Sequence, residues 1–261
     1  MKLLPLLLCV VSSSVLAAPP APMGEMNPDQ LRSWLKSAPK EEIEALLRAS
    51  TPDQLIAQGQ KSVAKLGTYS STLIKRERIK GELLDDQTIK VLIREDPFGA
   101  RMDYTDGPGK GRRAAYDSSA NAKELRVKEA GLFGIVGGVW VDINSSLTRA
   151  ESNHPITDLG LSSLLRLMKR DVDAAKAQGA TMQQSEQGFD AQNNWCVTFS
   201  PSAGAKNLYA SKTRVCMDGE QMLPVIVEVH DKQGLLETYR WKNVKAEVVA
   251  SDAFTAKGAG L

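Results

Sequence analysis

Histidine and cysteine are scarce in this chain, and neither sign of charge dominates. His154 and His230 are its two histidines, Cys9, Cys196 and Cys216 its three cysteines, and they lie far apart. Zinc needs four nitrogen or sulfur ligands at short, regular spacing, so this set is a poor donor set. The distance between Cys196 and Cys216 excludes a C-x-x-C redox centre. A formal charge of +2 removes the concentrated basic surface that nucleic acid demands. Past the N-terminus no apolar stretch approaches the ~20 residues that span a bilayer. The best, Leu132 to Ile143, is short and broken by Gly134, Gly137 and Gly138. Signature motifs are missing too: no G-x-S-x-G, no H-E-x-x-H, no P-loop, and no G-x-G-x-x-G opening a helix. No cofactor and no metal are expected, and binding is favoured over catalysis.

What is present begins with an export signal. Lys2 supplies a positive start, Leu3 to Val11 an apolar run, and Val15-Leu16-Ala17 the small residues read by signal peptidase. Cleavage is expected after Ala17 or Ala18, leaving a protein of the periplasm. An uncleaved anchor and a lipobox at Leu6-Leu7-Leu8-Cys9 are the alternatives. Residues 18–26 hold Pro19, Pro20 and Pro22 and read as an extended tether. Residues 27–50 read as a helical N-terminal segment, and residues 51–261 as the main domain. Asn27-Pro28-Asp29 and Thr51-Pro52-Asp53 each place a capping residue before Pro and an acid in the first turn. Ser37-Ala38-Pro39 is expected to start a helix the same way, and the helix from Pro52 to end at Gly67.

From Tyr69 the apolar period changes to two. Strands are expected over Tyr69 to Ile79, Gln87 to Arg94, Ala100 to Thr105, Arg113 to Tyr116 and Glu124 to Lys128. Pro155 to Ala177 reads as one amphipathic helix. Strands resume over Thr181 to Gln187, Trp195 to Phe199, Tyr209 to Met217, Leu223 to Val229 and Leu235 to Val244. Short strands with tight links and no crossover helices make an antiparallel meander of about ten strands. In an oxidising compartment, Cys196 and Cys216 on two such strands read as a disulfide, with buried free thiols the alternative.

Few residues carry chemistry. Gly107-Pro108-Gly109-Lys110-Gly111 reads as a hairpin loop, and each histidine as a capping or surface imidazole. Lys75-Arg76-Glu77-Arg78 is either a steering patch or a solvated strand end with ion pairs. The apolar, glycine-hinged stretch Leu132, Phe133, Ile135, Val136 and Trp140 is suited to a lid over a hydrophobic cavity, with an ordinary buried strand as the alternative.

Tyr69-x-x-x-Leu73-x-Lys75-Arg76-Glu77-Arg78, Gly81-x-Leu83 and Asp96-Pro97-Phe98 resemble the opening of an uncharacterised bacterial envelope family. So do His154-Pro155-Ile156-Thr157-x-x-Gly160, Leu223-Pro224-Val225 and Gly234-x-Leu236-x-x-x-Tyr239 further on. That family is similar in layout to the LolA-like periplasmic lipoprotein carriers. The resemblance covers roughly Pro52 to Phe254. It implies an α+β fold, a curved antiparallel β half-barrel with helices on its concave face. It implies binding of a lipid, a lipoprotein acyl chain or another hydrophobic ligand. The lid residues above would form the site with Leu161, Leu164, Leu165 and Met168 on the helix. An envelope protein–protein interaction or sensor module is the second reading, and a hydrolase built around either histidine the third.

Overall fold

The computed structural model describes residues 19, 21–131 and 137–261. The expected signal peptide and the lid positions Leu132, Phe133, Ile135 and Val136 lie outside them.

Three helices come first: α1 (Pro28–Ser37), α2 (Lys40–Ala49) and α3 (Pro52–Leu66). Asn27 and Thr51 form the expected capping boxes, with Gln30 and Gln54 answering at the third helical position. Helix α2 starts differently. Ser37 is the last residue of α1, its hydroxyl turned back on Ser33 O, so Pro39 sits at the N-cap without a side-chain cap bond. The stretch expected as a free tether is packed from Ala21 onward. Met23 and Met26 are buried, and Gly24 N donates to Gln58 Oε1. Gly24 has φ +92°, and a Cβ there would press on the Gln54 backbone at 3.1 Å, so only glycine passes. Leu31, Trp34, Leu35, Ile43 and Leu47 join the same apolar core as the sheet.

The sheet is antiparallel and twelve-stranded. Its strands are β1 (Thr68–Ile79), β2 (Glu82–Leu83), β3 (Gln87–Arg94), β4 (Gly99–Asp106), β5 (Arg113–Asp117), β6 (Glu124–Lys128), β7 (Val139–Asp142), β8 (Met182–Phe189), β9 (Asn194–Pro201), β10 (Lys212–Asp218), β11 (Pro224–Asp231) and β12 (Gly234–Ala246). Their order is β7-β6-β5-β4-β3-β1-β12-β11-β10-β9-β8, with β2 beside β1. The two strands beyond the expected ten are the two-residue β2 and β7, the latter formed by the end of the stretch read as a lid. β1 and β12 join the two meanders at the centre.

The sheet is open and must be strongly curved. Flat, its ten inter-strand spacings would span about 48 Å. Yet residues of β7 (Val139, Val141) and of β8 (Met182), at opposite edges, line one cavity of about 540 Å³. Helix α4 (Leu161–Ala177) lies in the hollow, followed by the β8–β12 half; α5 (Ala256–Ala259) closes the chain near β5. Leu55 and Ile56 of α3 and Leu165 of α4 converge on Val197, Phe199, Val215 and Met217.

The helix expected over Pro155 to Ala177 is shorter. Ile156–Asp158 is a single tight turn, and α4 begins at Leu161 because Gly160 is at φ +120°, outside the helical region. The sheet supplies the missing cap: Tyr69 Oη accepts from Leu161 N at 2.9 Å and donates to Glu95 Oε1 at 2.8 Å. Burial raises the Glu95 pKa despite these bonds.

Cys196 and Cys216 face each other across β9 and β10 and are disulfide-bonded, 20 residues apart in sequence. Loop closure of that length is worth about 3 kcal/mol. Replacing both cysteines by alanine should lower the unfolding free energy by that amount in urea titrations; an unchanged midpoint would contradict the estimate.

Candidate functional site

The cavity lies between the concave face of the sheet, α4 and a strap of chain, residues 147–160, that connects β7 to α4. The sheet register explains why it is apolar. Val91, Met102, Ala114, Val127 and Val139 form one inward row across β3 to β7. Ile93, Ala100 and Tyr116 run beside it, with Leu125 paired to Val141 further along. Ala114, which lines the cavity, is a small residue in a row of larger ones and leaves space above the sheet there. Ile89, Val227 and Trp241 complete the floor, and Leu164, Leu167, Met168 and Val172 of α4 the roof.

A charged belt interrupts this apolar surface at the centre of the sheet. Glu77 on β1 and Glu237 on β12 are directly opposed, and both are buried. Two facing carboxylates repel unless cations intervene. Lys75 Nζ lies 3.2 Å from Glu77 Oε1, and His154 Nε2 lies 3.1 and 3.2 Å from the two Glu237 oxygens. Tyr209 Oη donates to Glu237 Oε2 at 2.9 Å and Tyr239 Oη to Glu77 Oε1 at 2.8 Å. Two cations thus offset two anions.

The belt also holds the strap. Asn153 N donates to Glu77 Oε2 at 2.5 Å and Ser152 Oγ to Glu77 Oε1 at 3.2 Å. Lys75 Nζ donates to Glu151 O at 3.1 Å. Arg112, between Glu129 and Glu151, grips the Glu151 side chain.

Electrostatics follow from this packing. Burial alone would lower the His154 pKa. Asp158 and Glu237, backed by Glu77, outweigh it and raise the pKa to about 9. Burial would raise the Glu77 carboxyl, yet Lys75, Asn153 N and Tyr239 hold it below the usual carboxylate range. Burial, then Glu237, pushes the Tyr209 phenol up, which leaves it a proton donor rather than a nucleophile. The acid–base groups are thus committed to holding the strap. Among the described residues, the one group of His, Cys, Asp and Glu atoms close enough to share a metal ion is Asp190 with Cys196 and Cys216. The disulfide occupies both sulfurs.

Of the expected site residues that are described, Leu164 and Met168 line the cavity. Leu161 and Leu165 are wholly buried outside its lining, Leu165 against α3 and β9–β10. Trp140 is also outside the lining. It is half exposed on β7, with Arg126 over its ring at 5.4 Å. His154 was read as a capping or surface imidazole and proves to be the hub of the belt. Lys75 and Glu77 were taken for a steering patch or a solvated strand end and are buried; only Arg76, paired with Asp86, remains partly exposed. Arg78 is turned to Asp231 and Gln233. The signal for an inward Lys75 and Glu77 was available: they continue the alternation Tyr69, Ser71, Leu73.

A model of the family described as protein of unknown function DUF1571 matches residues 66–257. No curated protein matches the chain. Among solved structures, similar folds occur in a LolA superfamily protein from Nitrosomonas europaea (10% identity, 80% of this chain and 100% of that one, TM-score 0.41). Another is the Mycobacterium tuberculosis lipoprotein LppX (16%, 76% and 98%, 0.42). A third is the Pseudomonas aeruginosa MucA/MucB complex (13%, 80% and 62%, 0.43).

The His154 shift makes a pH prediction. Its pKa is about 9 folded against 6.5 for the free side chain, so the stabilisation is full below pH ~6.5 and fades as pH rises through ~9. The difference corresponds to about 3 kcal/mol. His154→Gln should be less stable than wild type by roughly that amount at pH 6 and match it near pH 10. Urea midpoints that differ equally at both pH values would refute the assignment.

Proposed function

The chain belongs to the DUF1571 family, and we propose that it is an exported, non-catalytic binding protein that holds a lipid acyl chain or another hydrophobic ligand between sheet and α4. The observation that carries this reading is the apolar hollow of about 540 Å³. That volume is within the range of small-molecule sites, roughly 300–1,000 Å³. At about 30 Å³ per water-sized unit, comparable to a methylene, it accommodates a chain of about 18 such units. Each buried methylene is worth about 0.8 kcal/mol, so affinity requires no covalent chemistry.

Export is supported by the signal-like first 17 residues and the Cys196–Cys216 disulfide, which belongs in an oxidising compartment such as the periplasm. A non-catalytic role is supported by the belt: the His154 ring is bonded to Glu237 and Tyr209, and the phenol is held protonated.

One observation favours an envelope protein–protein interaction or sensor module as the second reading. Edge strand β7 exposes Val139 and Trp140, and Leu147 stands exposed nearby in sequence. An open edge with apolar side chains is a template for a partner strand.

The test is uptake of a fluorescent fatty acid by delipidated protein, together with native mass spectrometry of protein taken from envelope extracts. Binding should be stoichiometric and fall at least about tenfold in Ala114→Phe, whose ring would occupy the hollow and displace at least about two methylenes of ligand at about 0.8 kcal/mol each. Absence of uptake by a folded wild-type protein would defeat the carrier reading, and recovery of a protein partner through the β7 edge would then favour the second.

A further inference from the structure

The inward rows of the β3–β7 half change character at one end. The row through Met102 and Ala114 is apolar, but the next holds Ile89, Tyr104 and Arg112. Arg112 is 22% exposed at the side chain and lies over the Tyr104 ring at 5.5 Å. Its guanidinium donates to Glu151 Oε2 at 2.9 Å and Oε1 at 3.5 Å, while Nε holds Glu129 Oε1 at 2.8 Å. Gln87 Nε2, at the start of β3, donates to Glu151 Oε2 at 3.2 Å. Donors from the sheet therefore converge on one carboxylate at the edge of the apolar hollow. That carboxylate belongs to the strap, not to the sheet, and is 38% exposed. Arg112 holds it ionised: burial would raise the Glu151 pKa, yet the pKa stays below the usual range. The chain's own Glu151 displays what this corner accepts.

We propose that the ligand is a single-chain amphiphile whose anionic head takes the place of Glu151 on Arg112 and Gln87, with its tail along the Met102–Ala114 row. This rests on the binding reading above. The head and the strap are rivals for the same donors, so loading loosens one of the strap's attachments to the sheet. A planar guanidinium fork suits a carboxylate or a phosphate alike.

Hexadecanoate, hexadecyl phosphate and hexadecanol, each displacing a neutral fluorescent probe, separate the terms. Wild type should prefer the anions over the alcohol. Glu151→Gln should tighten an anion by about tenfold and leave the alcohol within about twofold. The anion with the larger gain identifies the head. Arg112→Gln, checked for an unchanged circular dichroism spectrum, should abolish the preference; if it fails to fold, Gln87→Leu tests the same corner. Equal affinity for anions and alcohol in wild type and in Glu151→Gln would overturn the head assignment while leaving the cavity in use. Failure of all three to bind folded wild type would remove the binding reading itself.

Discussion

Two carboxylates meet face to face inside this sheet, and much of the hollow's architecture answers that conflict. Glu77 and Glu237 are opposed across the central strand pair and are both about 2% exposed. Leaving either unpaired would cost several kcal/mol. Lys75 answers one from the same strand. The other is answered from a distance, by His154, which sits between β7 and α4 in sequence and reaches the sheet only if the strap crosses the hollow. Charge neutrality thus dictates the path of a loop, and the loop in turn bounds the cavity.

The cavity itself is a matter of size rather than charge. Ala114 stands in an inward row between Met102 and Val127, while α4 lies toward the other half of the sheet, where Leu165 packs against β9 and β10. A roof anchored on one side and a small side chain on the other leave a void that neighbouring side chains do not fill. Interiors are normally close-packed, so a gap of this volume lined by valine, leucine and methionine is unusual, and it is the feature on which the proposed binding role rests.

Much of this was legible in the residues. Strand positions followed from the period of two, with Gln87–Arg94 and Glu124–Lys128 matching at both ends, and the helix starts from Asn27 and Thr51. The fold class and the disulfide emerged as expected. What was hidden involves long-range partners. Nothing local to His154 announces Glu237, 83 residues away. Nothing near Met23 announces that a proline-rich stretch becomes core. The helix expected from Pro155 starts only after Gly160, where its cap, Tyr69 Oη, comes from a strand 92 residues earlier. The run Lys75-Arg76-Glu77-Arg78 misled because charge was weighed above alternation; the pleat sends every second residue inward whatever its polarity.

The Tyr69–Glu95 cap has a mechanical side. It rivets the first turn of α4 to the floor of the sheet through buried hydrogen bonds, whose rupture leaves polar groups stranded at about 1–3 kcal/mol each. The far end is held to α3 by the Lys176–Asp53 pair, more than half exposed on the lysine side, a type of contact worth about 1 kcal/mol or less. That end is also packed: Val172 and Ala175 are buried, and Gln178 just past the helix exchanges hydrogen bonds with Lys206 at 2.8 and 3.0 Å. The two ends thus differ in kind, a cap reaching in from β1 at Leu161 and an exposed ion pair beside apolar packing at Ala177, so the seat of the helix on the sheet is set at its first turn.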